Sequence, residues 1–579
     1  MNLNKHTNAT TLLEKYFDIA FAAPDGVKKL RELILSLAMQ GKLVPQDPND
    51  QPASELLKEI EAEKNRLVKE KKLKIGQLTN DTKSINQNIE IPSAWIWVKG
   101  VDLFFITKLA GFEYTEYINL LDDGEVPVIR AQNVKPFRLD IDNLKYIDLK
   151  TSMLLERCAL TKKVLLVTFI GAGIGDVAIF DFKERWHLAP NVAKMEPFIG
   201  CENKINLKYI ACFLNSPLGR REIFKHLKST AQPSISMGTI RDIDYPLPPL
   251  AEQRRIVAKI DELMARCDEL EKLRGDRDRK QIAVHNSTLN RLLIAKEQSE
   301  FNTAWQFITQ HFSELYSVKE NVTELRKAIL QLAVMGKLVP QDPNDQPASE
   351  LLNEIEVEKK RLVKEGKIKK PKSLPVIEDK EIPFGLPNTW EWVRLGEITS
   401  KITDGDHKTP PRISEGYRLL SAKNVRNGYL DFDNCDFISE ANYLKSRERC
   451  CPEFNDLLIV SVGGTIGRTS LIPEDSFFAL VRSVALIKPL LINSSYLKYS
   501  MDSSLLQDSI HTRKRGGAQP CLYLSEIEMF PFSLPPLAEQ HRIVAKIDQL
   551  MALCDNLEKQ IDNANSKQTN LLNAVMTKI

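Results

Sequence analysis

The sequence lacks the long apolar stretches of a membrane protein. None of its apolar runs approaches the length of about 18 residues that marks a membrane-spanning helix. The N-terminal sequence MNLNKHTNATTLLEKYF also lacks the apolar centre and the small-residue cleavage site of a secretory signal peptide. We therefore expect a cytoplasmic protein.

Cysteine and net charge are also scarce. Nine cysteines are scattered over 579 residues, and the only closely spaced pair, Cys450 and Cys451, does not match a zinc-binding pattern. This distribution excludes a small fold held together by disulfides. Lys and Arg together number 80 against 77 Asp and Glu, a net charge of +3. Any nucleic-acid surface must therefore be a local patch, because the chain as a whole is not basic.

The motifs of common enzyme classes are missing as well. The sequence has no G-x-x-x-x-G-K-[ST] phosphate loop, no H-E-x-x-H zinc pair, no G-x-S-x-G nucleophile elbow and no Asn-Pro-Pro-aromatic loop of the amino-methyltransferases. Gly171, Gly173 and Gly175 follow an apolar run, but strand-like residues come next, whereas dinucleotide binding needs a helix there. We predict a glycine-rich β-hairpin, a turn that also permits close approach to a DNA backbone. We expect no catalytic residue, metal site or cofactor site in this chain.

What the sequence has is a long internal repeat. GKLVPQDPNDQPASELL occurs at 41–57 and, without a change, at 336–352, which is 295 residues later. The segment 247–272 returns with few changes at 534–559, which is 287 residues later. A period of about 290 residues is far longer than a solenoid unit, so the chain is a duplicated pair of domains. Either a shared docking surface or a recent duplication explains the identity of the first two blocks.

Two divergent segments, which we name the first variable domain (90–245) and the second variable domain (380–533), lie between the repeated flanks. They share short motifs in the same order, such as AQNV at 131–134 with AKNV at 422–425, and LLVTFIGAGIG at 165–175 with LLIVSVGGTIG at 457–467. Short β-rich runs broken by Gly, Asn and Asp precede a helical stretch in each. We predict an α+β fold class with five segments: helical 1–89, variable 90–245, helical 246–379, variable 380–533 and helical 534–579.

The repeated flanks show helical periodicity. Matched Cys267 and Cys554 lie among the apolar positions, where we interpret them as small core residues. Another helix is expected over 30–40, with Gly41 after its end, and a further one with Ser54 as its N-cap. Apolar residues at alternating steps of 4 and 3 indicate a coiled-coil seam at Ile256, Ile260, Leu263, Cys267 and Leu270 and at Ile543, Ile547, Leu550, Cys554, Leu557 and Ile561.

The variable domains carry basic, amide and aromatic side chains beside glycines. Arg recognises guanine, and Asn or Gln recognises adenine, through paired hydrogen bonds in the major groove. For any single residue the alternative is a solvated surface or turn position, and the similarly placed Asn133 and Asn424 fit a shared turn. The predicted DNA-contacting residues are Gly111, Phe112, Tyr114, Arg130, Gln132, Asn133, Lys135, Gln232 and Ser234 in the first domain, and His407, Lys408, Thr409, Arg412, Lys423, Asn424, Arg426, Thr465, Arg468, Arg513, Lys514, Arg515 and Gln519 in the second.

Together these features resemble the specificity subunit of a Type I restriction–modification enzyme. The resemblance covers nearly the whole chain. It rests on the repeated LPPLAEQ-type blocks at 247–261 and 534–548, the blocks at 41–57 and 336–352, and the motifs DGDHKTP (404–410) and GGTIG (463–467). The first variable domain has LAGFEYTEY (109–117) in place of DGDHKTP, so the role of that loop is less certain there.

The resemblance implies a DNA-binding subunit without catalysis of its own. Each variable domain would recognise one half of an asymmetric, bipartite site, and the long helices would form an antiparallel coiled coil that separates two domains related by an approximate twofold repeat. The implied partners are double-stranded DNA, two methyltransferase subunits and two restriction–translocase subunits. The implied cofactors, S-adenosylmethionine, ATP and Mg²⁺, belong to those partners.

Two hypotheses from other classes remain. A coiled-coil scaffold would join two protein ligands through the variable domains without DNA specificity, and steep salt dependence of DNA binding would argue against it. A fused restriction–methylation enzyme would methylate or cleave DNA as a purified chain, and the missing motifs argue against it.

Overall fold

A computed structural model describes residues 23–71, 89–171, 173–225, 234–516 and 520–578. The chain divides into two compact units: Met1–Gly275 together with Asn565–Ile579, and Asp276–Ala564. The five segment boundaries proposed from the sequence are a finer division, and they stay a prediction.

The first unit combines helices with two four-stranded sheets. One sheet is antiparallel, in the order β2-β11-β8-β9, and the other, in the order β6-β3-β10-β7, has β3 and β10 parallel. Its helices are α1 Gly26–Met39, α2 Ala53–Lys69, α3 Gly100–Leu103, α4 Gly111–Tyr117, α5 Leu149–Leu154, α6 Leu207–Asn215, α7 Pro217–Phe224 and α8 Met237–Arg241. Its strands are β1 Ile96–Lys99, β2 Phe104–Lys108, β3 Val126–Ile129, β4 Val134–Lys135, β5 Arg138–Leu139, β6 Lys145–Ile147, β7 Ala159–Leu160, β8 Val164–Thr168, β9 Val177–Phe180, β10 Trp186–Leu188, β11 Val192–Pro197 and β12 Asp244–Leu247.

The second unit follows the start of the long helix α9, Leu250–Ile294, and it repeats the antiparallel sheet but has a second sheet of three strands instead of four. Its antiparallel sheet is β14-β20-β17-β18, and its second sheet, β16-β15-β19, has β15 and β19 parallel. Its helices are α10 Gln298–Gln310, α11 Phe312–Leu315, α12 Lys319–Val334, α13 Ala348–Lys364, α14 Glu440–Arg449, α15 Ser494–Asp502, α16 Ser504–Arg513 and α17 Leu524–Glu528. Its strands are β13 Glu391–Arg394, β14 Thr399–Asp404, β15 Tyr417–Leu420, β16 Asp436–Ile438, β17 Leu457–Val460, β18 Thr469–Leu471, β19 Phe478–Leu480, β20 Val484–Pro489 and β21 Pro531–Leu534.

Two long helices belong to both units. α9 has 45 residues, about 67 Å at 1.5 Å per residue, and it begins in the first unit and ends in the second. The C-terminal helix α18, Leu537–Lys578, begins in the second unit and ends in the first. The predicted fold class, two α+β domains with long helices, is confirmed.

Glycine ends the equivalent helices α1 and α12 as predicted. Gly41 and Gly336 have φ of +66° and +68°, a left-handed conformation that glycine adopts without strain. The prediction for Ser54 was wrong, because α2 begins one residue earlier, after Pro52, and no side chain caps it. Ser54 therefore lies inside the first turn.

The predicted coiled-coil seam packs largely within each unit. Ile256, Ile260 and Cys267 join a core that also contains Ile34 and Leu35 of α1. In the second unit the equivalent residues Ile543, Ile547 and Cys554 join a core that contains Ala328 and Ile329 of α12. The apolar residues in the first part of each long helix therefore share a core with a shorter helix of the same unit. Cys267 and Cys554 are buried, as expected for core residues.

A buried tryptophan–glutamate contact fixes each variable domain to the start of a long helix. In the first unit Trp95 Nε1 donates to Glu252 Oε2 at 2.9 Å, and Gln46 Nε2 donates to Glu252 Oε1 at 2.6 Å. The second unit repeats the contact at 2.9 and 2.7 Å with Trp390, Gln341 and Glu539. Burial raises the pKa of both carboxyl groups. The identical 41–57 and 336–352 blocks, which supply the two glutamines, therefore have a shared internal role.

Candidate nucleic-acid interface

Several strands of the second variable domain end at one edge of its sheets. β14 ends at Asp404, which is paired with Ala485 at the start of β20, and β17 ends at Val460, which is paired with Val484. The parallel strands β15 and β19 end beside them, since Leu480 accepts a hydrogen bond from Asp406 N at 2.8 Å. We name the loops that follow the second loop edge: residues 405–412, 421–426, 461–468 and 481–483.

Backbone and serine side-chain hydrogen bonds join these loops to one another. Arg482 N donates to Asp406 O at 3.0 Å, and Ser461 Oγ donates to Arg482 O at 3.3 Å. Ser461 N donates to Ser483 O at 2.9 Å, and Ala422 N donates to Ser483 Oγ at 3.0 Å. Four segments that are distant in the sequence therefore form one surface on fixed backbones.

The DGDHKTP motif is anchored by an arginine that the sequence analysis did not single out. Arg449 Nη2, at the end of α14, lies 2.5 Å from Asp404 Oδ1 and 2.8 Å from His407 Nε2. Asp404 is buried, and His407 is exposed. The next predicted residues, Lys408 and Thr409, are exposed and extend beyond this anchor.

Most of the predicted cations of the second domain have carboxylate partners. Arg412 and Lys423 both pair with Asp436, at 2.9 and 3.3 Å, and Arg426 pairs with Asp431 at 3.4 Å. Exposed pairs of this kind are worth about 1 kcal/mol or less, so a phosphate can replace the carboxylate at little cost.

The predicted basic strip after α16 is also partly neutralised. Arg515 pairs with Glu526 at 2.8 Å, and Arg513 lies 3.7 Å from the same carboxylate. Lys514 Nζ lies 3.3 Å from His511 Nδ1. This strip is therefore a less basic surface than its sequence indicates.

Three cations at the second loop edge have no carboxylate partner in the described part of the chain: Lys408, Arg468 and Arg482. Lys408 and Arg482 are exposed, and Arg468, after the GGTIG turn, is half-buried. Arg482 was missed by the sequence analysis. The only signal for it was its place directly after a short apolar run that both variable domains share.

In the first variable domain we name the loops that follow the corresponding strands β2, β3, β8 and β10 the first loop edge: the described residues of 109–117, 130–134, 169–176 and 189–191. Gly111 and Phe112 begin α4, where Phe112 is 70% exposed, whereas Tyr114 packs against the core. Arg130 Nη2 donates to Asn143 O at 2.7 Å. The other described predictions there are the exposed Gln132, the half-buried Lys135, and Ser234, which bridges to Ile170.

Asn133 and Asn424 have the turn role that the sequence left open. Asn133 Oδ1 accepts a hydrogen bond from Arg130 N at 3.0 Å, and its Nδ2 donates to Asp140 O at 2.9 Å. Asn424 makes the same two bonds with Ser421 N and Asp431 O, at 3.0 and 2.9 Å. Both side chains are buried. Their amides are therefore occupied inside the turn.

Two predictions cannot be placed, because Gln232 and Gln519 lie outside the described residues. Thr465 lies half-buried in the GGTIG turn. Within the described ranges no group of three or more His, Cys, Asp and Glu side chains is arranged to hold a metal ion. No helix in the same ranges is long and apolar enough to cross a membrane.

A family model described as the Type I restriction modification DNA specificity domain matches residues 92–276 and 387–564. Each match covers one variable domain and the first part of the long helix after it. The chain belongs to this family. Its relatives include the Type I restriction enzyme EcoAI specificity subunit of Escherichia coli, 34% identical over 584 residues that cover 95% of this chain and 93% of the relative. The EcoEI specificity subunit of Escherichia coli is 31% identical over 579 residues, with coverage of 95% and 93%.

Among solved structures, the chain is similar to the HsdS subunit from Thermoanaerobacter tengcongensis. The identity is 15%, the match covers 85% of this chain and 98% of that chain, and the TM-score is 0.36. The membership predicted from the repeated blocks is confirmed by the family match and the curated relatives. These matches support DNA specificity, and they do not support a scaffold without it.

Proposed function

We propose that this chain selects the DNA sequence for a Type I restriction–modification complex, with each variable domain recognising one half of an asymmetric, bipartite site. The observation that carries the proposal is that two domains whose antiparallel sheets have the same strand order present equivalent loop edges with different side chains. An equivalent backbone frame suits the regular DNA backbone, and different side chains suit two different base sequences.

The paired cations of the second loop edge fit phosphate contacts. Arg412, Lys423 and Arg426 are held near carboxylates by weak exposed pairs, so they remain available for exchange with phosphate. Phosphate contacts fix the orientation of a protein on DNA without recognising sequence. Asn133 and Asn424 support the surface by holding its turns.

The long helices and the repeated flanks fit the remaining roles. α9 and α18, each shared by both units, would set the number of base pairs between the half-sites. Two methyltransferase subunits and two restriction–translocase subunits would supply the catalysis, with S-adenosylmethionine, ATP and Mg²⁺ bound to them. This chain would carry out no reaction itself and would act in the cytoplasm.

Selection of bound sequences from a random duplex pool tests this proposal with the full-length chain. We expect two short, different sequences at a fixed separation. Binding should weaken steeply with salt, with a slope of about −0.9 in log K against log salt concentration per contacted phosphate. Arg412→Ala, Lys423→Ala and Arg426→Ala combined should reduce this slope by about 3 if each contacts one phosphate.

Arg361→Ala is the matched control, because Arg361 is an exposed, paired cation on α13, outside the variable domains. It should leave the slope and the selected sequence unchanged. Binding that selects no sequence and responds weakly to salt would instead support the coiled-coil scaffold.

A further inference from the structure

One position lies between equivalently bonded neighbours in both variable domains but carries different residues. It is the second residue after the parallel strands β10 and β19, Pro190 in the first domain and Arg482 in the second. Equivalent hydrogen bonds frame it: Ala189 N to Ile129 O and Phe169 N to Asn191 O in the first domain, and Val481 N to Leu420 O and Ser461 N to Ser483 O in the second. The neighbouring residues are therefore held alike in the two domains. The position itself differs in its side chain and in one bond, because Arg482 N donates to Asp406 O and Pro190 has no N–H.

A second position of this kind follows the glycine-rich turns. Asp176 in the first domain and Arg468 in the second both donate through N–H within the turn and accept at their carbonyl oxygen from the end of the preceding strand. Asp176 is paired with Arg220 at 3.0 Å, whereas Arg468 has no carboxylate partner in the described part of the chain. The charge at this position is thus reversed between the domains.

These positions contrast with Asn133 and Asn424, which are also held equivalently but are identical and buried. A residue that supports the frame must be the same in both domains, because its hydrogen bonds are the same. A residue that recognises bases must differ if the two half-sites differ. Arg468 and Arg482 fulfil the second condition, and neither guanidinium group has a carboxylate partner among the described residues.

We propose that Arg468 and Arg482 determine base preference in the half-site recognised by the second variable domain, each by donating two hydrogen bonds to a guanine. The inference rests on the proposed DNA recognition. The support is strongest for Arg482, because its N–H donates to Asp406 O and its carbonyl oxygen accepts from Ser461 Oγ, and these two residues lie in two other loops. Its Cα is therefore fixed, and its exposed side chain projects from a defined point. Guanine presents two acceptors in the major groove that match the arginine fork.

The test is selection from a random duplex pool with the full-length chain and its single variants. Arg482→Ala should reduce discrimination for guanine at one position of the second half-site by about 5- to 150-fold and leave the first half-site unchanged. Arg482→Gln should shift the preference at that same position toward adenine, because glutamine pairs with adenine. A misfolded domain cannot acquire a new base preference, so this variant separates recognition from folding. Arg468→Ala and Arg468→Gln should act at a different position.

Arg412→Ala is the control, since Arg412 lies on the same edge but pairs with Asp436. It should lower affinity for all sequences equally. An unchanged second half-site in Arg482→Ala and Arg482→Gln would overturn the inference while leaving DNA recognition intact. If the unsubstituted chain selects no bipartite sequence, the proposed function itself is wrong.

Discussion

A buried arginine of the second variable domain allows a quantitative test of how the segment leading into this domain is held. Arg394, at the end of β13, is 2% exposed and donates to the segment that leads into this domain and to a neighbouring loop. Its hydrogen bonds, of 2.6–3.2 Å, reach Pro375 O, Val376 O, Met529 O and both carboxylate oxygens of Glu381. Arg394→Met keeps much of the side-chain volume and removes every donor.

The expected loss is large because Arg394→Met leaves acceptors without a donor. Removing one partner of a buried ion pair typically costs about 3–5 kcal/mol. In the first unit the equivalent residue Lys99 places its Nζ 3.5 Å from both Asp242 O and Asp244 Oδ1. Lys99→Met should cost less than Arg394→Met, because these two contacts are longer than the five of Arg394, although the substitution leaves the buried Asp244 without its cation. The two variants therefore change equivalent positions with different expected losses.

Hydrogen exchange on the full-length chain measures this loss locally. In Arg394→Met, amides of residues 375–394 should exchange about 150- to 5,000-fold faster. In Lys99→Met the exchange of residues 96–99 should accelerate less. A change of less than threefold in Arg394→Met would refute the reasoning.

The same pair predicts a pH dependence. Hydrogen bonds from Arg394 lower the pKa of Glu381 to about 2, against 4.5 for an unperturbed glutamate. A depressed carboxyl pKa stabilises the folded state above about pH 4.5, and this contribution is lost as the pH falls toward 2. Protection of residues 375–394 should decline over this range in the unsubstituted chain. In Arg394→Met this part of the decline should be absent, and an identical pH profile would contradict the assignment.

Two further predictions use the duplicated elements. Glu252→Ala and Glu539→Ala each leave a buried tryptophan N–H without its acceptor and leave a glutamine amide with only a glycine carbonyl at 3.4 Å. Each should therefore destabilise its own unit by about 1–3 kcal/mol, measured by hydrogen exchange, whereas the exposed Glu262→Ala should change little. Unequal effects of the two buried substitutions would contradict the equivalence of the units. Gly336→Ala places a Cβ 2.5 Å from Pro387 Cγ at a φ of +68°. Gly366→Ala is the control, because Gly366 has a φ of +70° but no neighbour within 4 Å of the added Cβ. Gly336→Ala should lower the midpoint temperature of thermal unfolding more than Gly366→Ala. Equal effects would show that the contact with Pro387 contributes nothing beyond the roughly 1–2 kcal/mol of backbone strain.

The features that the sequence predicted well are local. The ends of α1 and α12 at Gly41 and Gly336 follow from glycine's freedom to adopt a left-handed backbone. The hairpins around Gly175 and Gly467 follow in the same way, since a glycine-rich turn between two apolar runs favours a return of the chain. The repeat, and with it the resemblance to the family, was recognised because the repeated blocks are identical or nearly identical in amino-acid sequence.

The features that were missed depend on residues distant in the sequence. The apolar seam of α9 was predicted, but its packing on α1 was not, because periodicity shows that a face is buried without showing what covers it. Arg482 was missed because its backbone is positioned by hydrogen bonds to Asp406 and Ser461, which lie in other loops. Ser54 failed as a cap because local propensity does not decide where the chain enters a helix after Pro52.

The central claim is that one chain carries two independent recognition domains on a shared helical frame. Replacing residues 90–245 with the corresponding domain of a relative that recognises another sequence tests it most directly, with selected DNA sequences as the measurement. We expect one half-site to change, while the other half-site and the number of base pairs between them stay the same. A change in both half-sites, or in their separation, would contradict it.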